Sequence, residues 1–503
     1  MRLCGFLAFI AVAITLSISP FLVAHASTVP TSALTLGTGT ATDPLDIATS
    51  SNSNAKAIIW ANGSYAAPAY KTAFSRDGTN WVTSSVPTVS GETQVLLDNY
   101  SARISYSSYG VIMIIWFTKN SGGTYFLHSS ISSDGVSWST PITLDTSVSY
   151  EFSGLQLVVS PRTGNFTALW LSWTANPYYS VRTATTTDSS GTAWSSAKAI
   201  HTTGSNPFYT QLGADAAGNL TAAWGVQVAG PPDQDFTVAT RSTDGVTWST
   251  PTTVSSVQSW RGRGERSIAV SPAGVVVIAQ MWAPTNAGGN SQIEVSWFDG
   301  TWHTQFITPV GNISDYAQNP KVVVGSSGTF ALAYLKTNNT RYSTAIKTSS
   351  DGANWSSEEL PFGTSNYNSI YKSLTAASTG QVFVSVSSFD ATGLGQVRSL
   401  MPGGSWITEF TNPQASMVVT FGLNQTTSDL SVFTRLVGGA ADLKVQSLYT
   451  TNALGALSSS ANKISVALGA NVTTSMTTTN MTTPVSYTVS PSLPSGIAID
   501  AAT

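Results

Sequence analysis

The sequence predicts an all-β protein, a β-propeller of four-stranded blades, and three features lead to this prediction. A tight Asp-Gly turn followed by a tryptophan recurs at intervals of about fifty residues, which is the length of one propeller blade. Short apolar strands recur with the same period, and about four strands fit into each unit. No stretch shows sustained helical periodicity or helix caps, which argues against an α/β barrel.

The recurring turns share a frame such as Ser132-Ser-Asp134-Gly135-Val-Ser-Trp138. Glycine accepts a positive φ and aspartate bonds downstream amides, so Asp-Gly between two strands is a strong hairpin signal. The tryptophan is expected to lie over the turn, where its burial contributes at most about 4–6 kcal/mol. We therefore assign these turns a structural role. The assigned residues are Asp77, Gly78, Trp81, Asp134, Gly135, Trp138, Asp188, Gly191, Trp194, Asp244, Gly245, Trp248, Asp299, Trp302, Asp351, Gly352 and Trp355, and a worn seventh copy ends at Trp406.

The number of blades follows from eight apolar strands, against seven turn tryptophans. These strands are Ala55–Trp60, Val111–Phe117, Phe166–Trp173, Leu220–Val226, Val275–Trp282, Thr329–Leu335, Val382–Ser387 and Leu430–Leu436. The eighth unit, from about Met417 to Thr450, has no Asp-Gly-Trp frame. Because Ala33–Gly37 precedes the first unit, we expect it to complete the last blade and close the ring, which removes two exposed sheet edges. Eight blades are predicted, with seven as the alternative if the last unit is not a blade.

The N-terminal residues 1–26 have the features of a secretory signal peptide. Arg2 supplies the positive end, Phe6–Val23 is largely apolar, and Ala24-His25-Ala26 has small residues where a signal peptidase needs them. We expect cleavage after Ala26, with a retained membrane anchor as the alternative. The only cysteine, Cys4, lies within this segment, and no later segment is long and apolar enough to span a bilayer. The sequence therefore predicts a secreted or cell-surface protein whose mature chain has no disulfide and no membrane span.

Composition excludes several classes of function. Charged residues make up only 9% of the chain, and the formal charge of −3 provides no basic field for binding nucleic acid. The histidines have no metal-ligand spacing, and Asp233-Gln-Asp235 lacks a third nearby carboxylate for calcium. No metal and no cofactor are predicted, and we interpret Asp233 and Asp235 as part of a solvated loop.

The amino-acid composition changes after about Ala461. We predict a propeller over residues 27–460 and a separate segment over residues 461–503, which is rich in Thr and Val. Its stretch Val485–Asp500 resembles the start of the immunoglobulin-like modules of bacterial surface proteins. About forty residues are fewer than the roughly hundred that such a sandwich needs. The resemblance implies that the chain is a monomeric unit of a longer multidomain protein.

The turn frames resemble the Asp-box, or bacterial neuraminidase (BNR) repeat, of sialidases and related propellers. The resemblance covers residues 75–406, although the usual frame has one more residue between Asp and Gly. In that family the Asp box lies on the face opposite the catalytic site, so it indicates architecture and not activity. The family's Arg-Ile-Pro motif does not occur here, and Arg103-Ile104-Ser105 is its nearest counterpart. We therefore assign no catalytic residue.

The candidate ligand-binding face is the end of the propeller where the connections between blades meet. Aromatic residues stand at these connections, and such rings can stack on sugars or hold cations. Packing of the rings between neighbouring blades is the alternative. The candidates are Tyr100, Tyr150, Tyr209, Trp260, Tyr316 and Tyr367.

One connection, Trp260-Arg-Gly-Arg-Gly-Glu-Arg266, carries three arginines in six residues. The planar guanidinium groups of Arg261, Arg263 and Arg266 suit carboxylate, sulfate or phosphate groups, and the glycines let a ligand approach the backbone. A solvated loop in which Glu265 neutralises one arginine is the alternative.

Three functions remain open on the sequence. The favoured one is a recognition or adhesion scaffold that binds a glycan or an extracellular protein through one propeller face. The second is a sialidase-like or other propeller glycoside hydrolase or lyase, with acids among Glu151, Asp233, Glu265 and Asp315 on the predicted face. The third is a structural spacer of a large exoprotein.

Overall fold

The computed structural model describes most of residues 33–448, together with Ala456–Ser459 and Met476–Thr479. Within residues 33–448 the description omits 39–41, 43, 51–52, 65–66, 97–100, 148–153, 176–177, 202–205, 229–233, 258–264, 284–290, 310–314, 339–341, 364–368, 389–393, 416, 425–428 and 437–441. The predicted signal peptide and most of the predicted immunoglobulin-like segment lie outside the described residues.

The residues from Thr28 to Thr450 form a compact unit of eight antiparallel sheets, each a propeller blade. Blade 1 consists of Asp46–Thr49, Lys56–Ser64, Ala67–Ser75 and Trp81–Ser85. Blade 2 consists of Ala102–Tyr106, Ile112–Asn120, Tyr125–Ser132 and Ile142–Ser147, with Glu92–Gln94 as a fifth strand. Blade 3 consists of Gln156–Val159, Phe166–Ala175, Tyr178–Thr185 and Lys198–His201, and blade 4 consists of Asn206–Ala214, Leu220–Val228, Gln234–Ser242 and Thr252–Thr253. Blade 5 consists of Arg266–Val270, Val276–Trp282, Gln292–Phe298 and Trp302–Phe306, and blade 6 consists of Asp315–Val324, Phe330–Asn338 and Tyr342–Ser349. Blade 7 consists of Ser369–Ala376, Val382–Ser388, Leu394–Leu400 and Trp406–Ala415. Blade 8 consists of Met417–Leu423, Leu430–Leu436, Leu443–Leu448 and Leu34–Gly37. The predicted all-β fold with eight blades is confirmed.

The blades form a closed ring around a central channel. The first strand of each blade contacts the first strand of the next, and the last blade contacts the first. The predicted role of the N-terminal strand is also confirmed, because Leu34–Gly37 pairs antiparallel with Leu443–Leu448 as the outermost strand of blade 8. Two segments far apart in sequence thus share one sheet, and this pairing closes the ring.

Two blades differ from the four-stranded pattern. In blade 2 the short strand Glu92–Gln94 continues along the same edge of Ile112–Asn120 as the inner strand does. The buried His128 ring helps to hold this strand, because its Nε2 lies 2.7 Å from Glu92 Oε2 and its Nδ1 lies 3.2 Å from Thr143 Oγ1. In blade 6 the fourth position is reduced to an isolated bridge between Ile346 and Glu359.

The described residues of the hydrophobic core form eight clusters, each lying between two neighbouring blades. Seven of these clusters contain one of the turn tryptophans. Some reach the preceding blade, as when Trp138 Nε1 donates to Ser84 Oγ at 2.8 Å. Others lie on their own turn as predicted, since Trp248 Nε1 donates to the Gly245 carbonyl at 3.1 Å. The cluster between blades 7 and 8 is instead filled by residues such as Phe383 and Phe421.

The Asp-Gly turns are held by hydrogen bonds to the aspartate side chain. In blade 2, Asp134 Oδ1 accepts from the amides of Val136 and Ser137 at 2.8 and 2.7 Å, and Ser132 Oγ accepts from the Gly135 amide at 2.9 Å. The same pattern recurs in blade 6, where the backbone amide of Asn354 contributes most to lowering the pKa of Asp351 to about 2. The turns satisfy their own amides and stabilise the ionised carboxylate.

The turn glycines also allow one blade to approach the next. A Cβ added at Gly135 would lie 2.3 Å from Phe74 Cβ of blade 1, and one added at Gly245 would lie 2.2 Å from Thr185 Oγ1 of blade 3. Both glycines have a positive φ, 74° and 73°. Glycine is therefore required here for backbone conformation and for contact between blades.

Outside the propeller unit, Ala456–Ser459 and Met476–Thr479 pair as two antiparallel strands. Among the residues described, there is no helix with the length and apolar character needed to cross a membrane.

We expect Gly135→Ala to destabilise the propeller more than Gly403→Ala does. Both glycines have φ near +70°, and this backbone costs an alanine about 1–2 kcal/mol. Only the Gly135 site adds a clash with Phe74, worth about 1–3 kcal/mol more, because a Cβ at Gly403 would meet nothing within 4 Å. Urea denaturation of the two variants checks this difference. Equal losses of stability would show that the turns do not press against the preceding blade.

We expect the propeller to lose stability as the pH falls from about 4 to about 2. The pKa of Asp351 is about 2 in the folded protein, and hydrogen bonds led by the backbone amide of Ser137 lower the pKa of Asp134 as well. An unfolded aspartate titrates near pH 3.9, so the ionised turns stabilise the fold above that pH and lose this contribution below it. Melting temperatures measured across this window should fall less steeply for Asp351→Asn than for the wild type. Parallel curves would contradict the assignment.

Candidate recognition site

The candidate face is the channel end at which each inner strand begins. Of the predicted ligand-binding residues, Tyr100, Tyr150, Trp260, Arg261, Arg263 and Tyr367 lie outside the described residues. Tyr209, Arg266 and Tyr316 are described, on blades 4, 5 and 6.

Arg266 is buried between blades 4 and 5. Its Nη2 donates to Asp235 Oδ1 at 2.5 Å and its Nε to Thr237 Oγ1 at 2.6 Å, and its guanidinium lies over the Phe208 ring at 4.7 Å. The side chains of Arg266 and Asp235 are 0% and 2% exposed. Arg266 therefore ties two blades together, and Asp235 is its buried partner instead of a residue of a solvated loop.

The network around Arg266 continues into blade 5 through neutral side chains. Thr237 donates to Gln280, which in turn donates to Glu294. Glu294 is fully buried and also accepts from the Ser256 amide at 3.1 Å and from Thr304 Oγ1 at 3.0 Å. Every carboxylate oxygen of Glu294 is thus satisfied, which is what a buried carboxylate requires. The network thus links blades 4 and 5 through buried hydrogen bonds.

The inner strands of blades 4 and 6 carry unusual backbone at matching places. Tyr209 and Asn319 have φ of 48° and 52°, the two positive values at non-glycine residues within the described part of the chain. Each sits in a β-bulge, where the pairing with the next strand shifts register. Bulges re-aim side chains, and strained backbone concentrates at functional sites. The bulge at Asn319 ends at Lys321.

Lys321 belongs to Asp315–Val324, the inner strand of blade 6. Its side chain is exposed to solvent, yet desolvation by the surrounding protein lowers its pKa. These two properties occur together when a side chain faces water inside a ring of protein. The charge of Arg103 lowers this pKa further, whereas Asp46 and Glu265 raise it. The structure thus brings four charged residues into one electric field.

These four residues, here named the channel charge cluster, come from opposite sides of the ring. Asp46 belongs to blade 1 and Arg103 to blade 2, whereas Glu265 directly precedes blade 5 and Lys321 belongs to blade 6. In a ring of eight, blade 1 faces blade 5 and blade 2 faces blade 6. The cluster therefore spans the channel and contains two cations and two carboxylates.

The two residues of the cluster on blades 1 and 2, Asp46 and Arg103, are held by hydrogen bonds to the backbone. Asp46 Oδ2 accepts from the Ile104 amide at 3.0 Å, which links blade 1 to blade 2. Arg103 is 8% exposed, and its Nη1 donates to the Ala102 carbonyl at 3.0 Å. Burial raises the pKa of Glu265, opposed by the charge of Lys321. Asp46 and Arg103 are thus positioned before any ligand binds.

From the sequence, Arg103 was noted beside the missing Arg-Ile-Pro motif and Glu265 as a candidate acid, whereas Asp46 and Lys321 were not identified. One signal could have found them. Charged residues are rare in this chain, and Asp46 and Lys321 each follow a proline at an inner strand, in Pro44-Leu-Asp46 and Pro320-Lys321.

The predicted aromatic rim is partly engaged in packing. Tyr209 is half-buried and lies edge-to-face with Phe208, with ring centroids 5.9 Å apart. Tyr316 is also half-buried, and burial followed by the neighbouring Tyr342 raises its pKa. Both rings retain some exposed surface for a ligand.

A tyrosine–glutamate pair occurs in blade 6, away from the inner strands. Tyr334 Oη donates to Glu358 Oε2 at 2.5 Å, and Lys336 Nζ lies 3.0 Å from Glu358 Oε1. Tyr334 is 1% exposed, and burial together with Glu358 raises its pKa far above the usual value. Because the Tyr334 phenol is buried and its pKa is raised, it is not available as a nucleophile. Within the described residues there is also no group of three His, Cys, Asp or Glu side chains placed to hold a metal ion.

Comparison with known proteins yields no family assignment. No protein-family model matches the sequence, and the search of curated proteins finds no match. Similar solved structures include a PL25 ulvan lyase bound to -[GlcA(1-4)Rha3S]-, with TM-score 0.46 and 9% identity, covering 82% of this chain and 95% of that one. Others are an arabinanase from Penicillium chrysogenum (TM-score 0.36, 9% identity, 84% and 99% covered) and a Hadza microbial sialidase (0.36, 13%, 64% and 73%). The propeller assignment for this chain rests on its own strand pairing.

We expect Arg266→Met to destabilise the protein by about 3–5 kcal/mol, because it leaves Asp235 buried without its counter-charge. The double variant Arg266→Met/Asp235→Leu removes both charges and should recover most of the loss. Urea denaturation of the two single variants and the double variant measures the coupling. A small loss of stability in Arg266→Met would mean that this residue does not hold blades 4 and 5 together.

Proposed function

We propose that this protein is a secreted or cell-surface recognition propeller that binds a glycan at the channel face. The observation that carries the proposal is the channel charge cluster, in which Arg103 and Lys321 lie in one field with Asp46 and Glu265. Arg103 is buried, and backbone hydrogen bonds hold Asp46 and Arg103 in place. A site that is rigid before binding loses little entropy when a ligand arrives.

Sugar hydroxyl groups match this mixture of charges. Each hydroxyl can donate and accept, whereas ammonium and guanidinium groups only donate and carboxylates only accept. A glycan crossing the channel can therefore satisfy both kinds of group at once. The cluster has no net charge, so it favours a hydroxyl-rich chain over a simple polyanion. An extracellular protein partner is the alternative occupant of this face.

Other parts of the chain fit the same proposal. Tyr209 and Tyr316 would supply rings at the channel mouth, and Arg261 and Arg263 would extend the face with anion-binding groups. The Asp-box turns would act as the frame on the opposite face. The C-terminal segment would connect the propeller, as an immunoglobulin-like module, to a longer surface protein.

A second candidate function is glycoside hydrolysis or lyase chemistry, and one observation favours it. Asp46 and Glu265 belong to opposite blades and both act on Lys321, and burial raises the pKa of Glu265. Glycosidases use two carboxyl groups across the scissile bond, and the acid of the pair has a raised pKa. Glu265 would be the acid and Asp46 the base or nucleophile.

We expect Lys321→Met to weaken glycan binding about tenfold or more, because a hydrogen bond to a charged group contributes about 1.5–3 kcal/mol. Lys198→Met is the matched control, since Lys198 is an exposed lysine on the outer strand of blade 3. Affinity electrophoresis against neutral and acidic polysaccharides measures the effect. The proposal fails if no polysaccharide slows the wild type, or if the two variants bind alike.

Turnover of the polysaccharide that is bound separates the two functions. If the wild type releases product and Glu265→Gln does not, the glycosidase or lyase function is supported. Binding without turnover supports the recognition scaffold.

A further inference from the structure

A second polar site lies away from the channel, at the seam that closes the ring. A cleft of about 280 Å³ opens between the N-terminal strand and blade 1. Its walls come from Leu34–Gly37, which is the outer strand of blade 8, and from the second, third and fourth strands of blade 1. Nothing in the proposed channel function uses this cleft.

The lining of the cleft is rich in hydroxyl groups and carries one positive charge. Thr35 and Thr83 contribute exposed hydroxyls, Asn62 contributes its amide, and Lys71 contributes its ammonium group. None of the residues described around the cleft is acidic. In a chain with a net charge of −3, this lining is locally positive.

Lys71 is oriented but retains capacity for a ligand. Its Nζ donates to Ser85 Oγ at 2.7 Å, and an ammonium group has three donors. Asn62 is also fixed, because its Oδ1 accepts from Trp60 Nε1 at 3.2 Å. The side chains are thus positioned before any ligand binds.

We propose that this cleft binds one saccharide unit that bears a carboxylate or sulfate group. The Lys71 ammonium would hold the anion, and the surrounding hydroxyls and amide would bond the sugar hydroxyls. The size agrees, since 280 Å³ lies just below the roughly 300–1,000 Å³ typical of sites for larger, drug-sized ligands. Among the described residues no carboxylate lines the cleft, which distinguishes it from the channel charge cluster.

Binding in this cleft would also strengthen the ring. Thr35 belongs to the strand that completes blade 8, whereas Lys71 and Thr83 belong to blade 1. A ligand that contacts both would bridge the closing seam. Because a ligand that binds only the folded state stabilises it, the melting temperature should rise with ligand concentration.

The test is a thermal titration at constant ionic strength with glucuronate, glucose 6-sulfate, glucose and inorganic sulfate. We expect the two acidic sugars to raise the melting temperature of the wild type, and glucose and inorganic sulfate to raise it much less. Lys71→Met should weaken the response to the acidic sugars at least tenfold in concentration. Lys198→Met, which removes an exposed lysine far from the seam, should respond as the wild type does.

Several results would overturn the proposal. These are no response to either acidic sugar, an equal response in Lys71→Met, or an equal response to inorganic sulfate, which would indicate a simple anion site. Lys321→Met distinguishes this cleft from the channel, because the additional rise in melting temperature that acidic sugars give over glucose should depend on Lys71 and not on Lys321. A response lost in Lys321→Met and kept in Lys71→Met would assign the binding to the channel instead. If Lys71→Met does not fold, Thr83→Val removes a lining hydroxyl without changing the charge and should still weaken binding.

Discussion

The close approach of neighbouring blades is the constraint on which the rest of this structure depends. In the part of the chain that the structure describes, each blade buries its apolar side chains mainly against its two neighbours, in eight separate clusters. The Asp-Gly turns permit this approach because glycine leaves room for the preceding blade, as at Gly135 against Phe74. Ring closure by Leu34–Gly37 then gives the last interface the same form as the others.

The ring also creates the channel site. Asp46 and Glu265 are far apart in sequence. They act on the same lysine only because the inner strands face one another around a common axis. Side chains that bond the backbone of the next blade, such as Asp46 to Ile104 and Ser267 to Val322, keep these strands in register. The rigidity of the site is therefore a property of the whole ring.

The few charges of this protein are used in three distinct ways. Arg266 and Asp235 neutralise each other inside the fold, and their burial makes them a structural tie. The channel charge cluster mixes both signs, which suits a ligand with many hydroxyl groups. Lys71 stands in a cleft whose described lining residues include no acid, which suits an anion. The surroundings of a charge, more than its identity, separate these roles.

The sequence alone determined the repeat, the four-stranded unit, the turn chemistry, eight blades and the closing strand, because each follows from local periodicity and from the need to cover sheet edges. It also indicated the arginine-rich connection, but it did not show that Arg266 points into the protein. Only the tertiary structure decided that burial, the fifth strand of blade 2 and the convergence of Asp46, Arg103, Glu265 and Lys321. The physical reason is that strand periodicity specifies which face a side chain occupies, whereas the distance between side chains on opposite blades depends on how the ring closes.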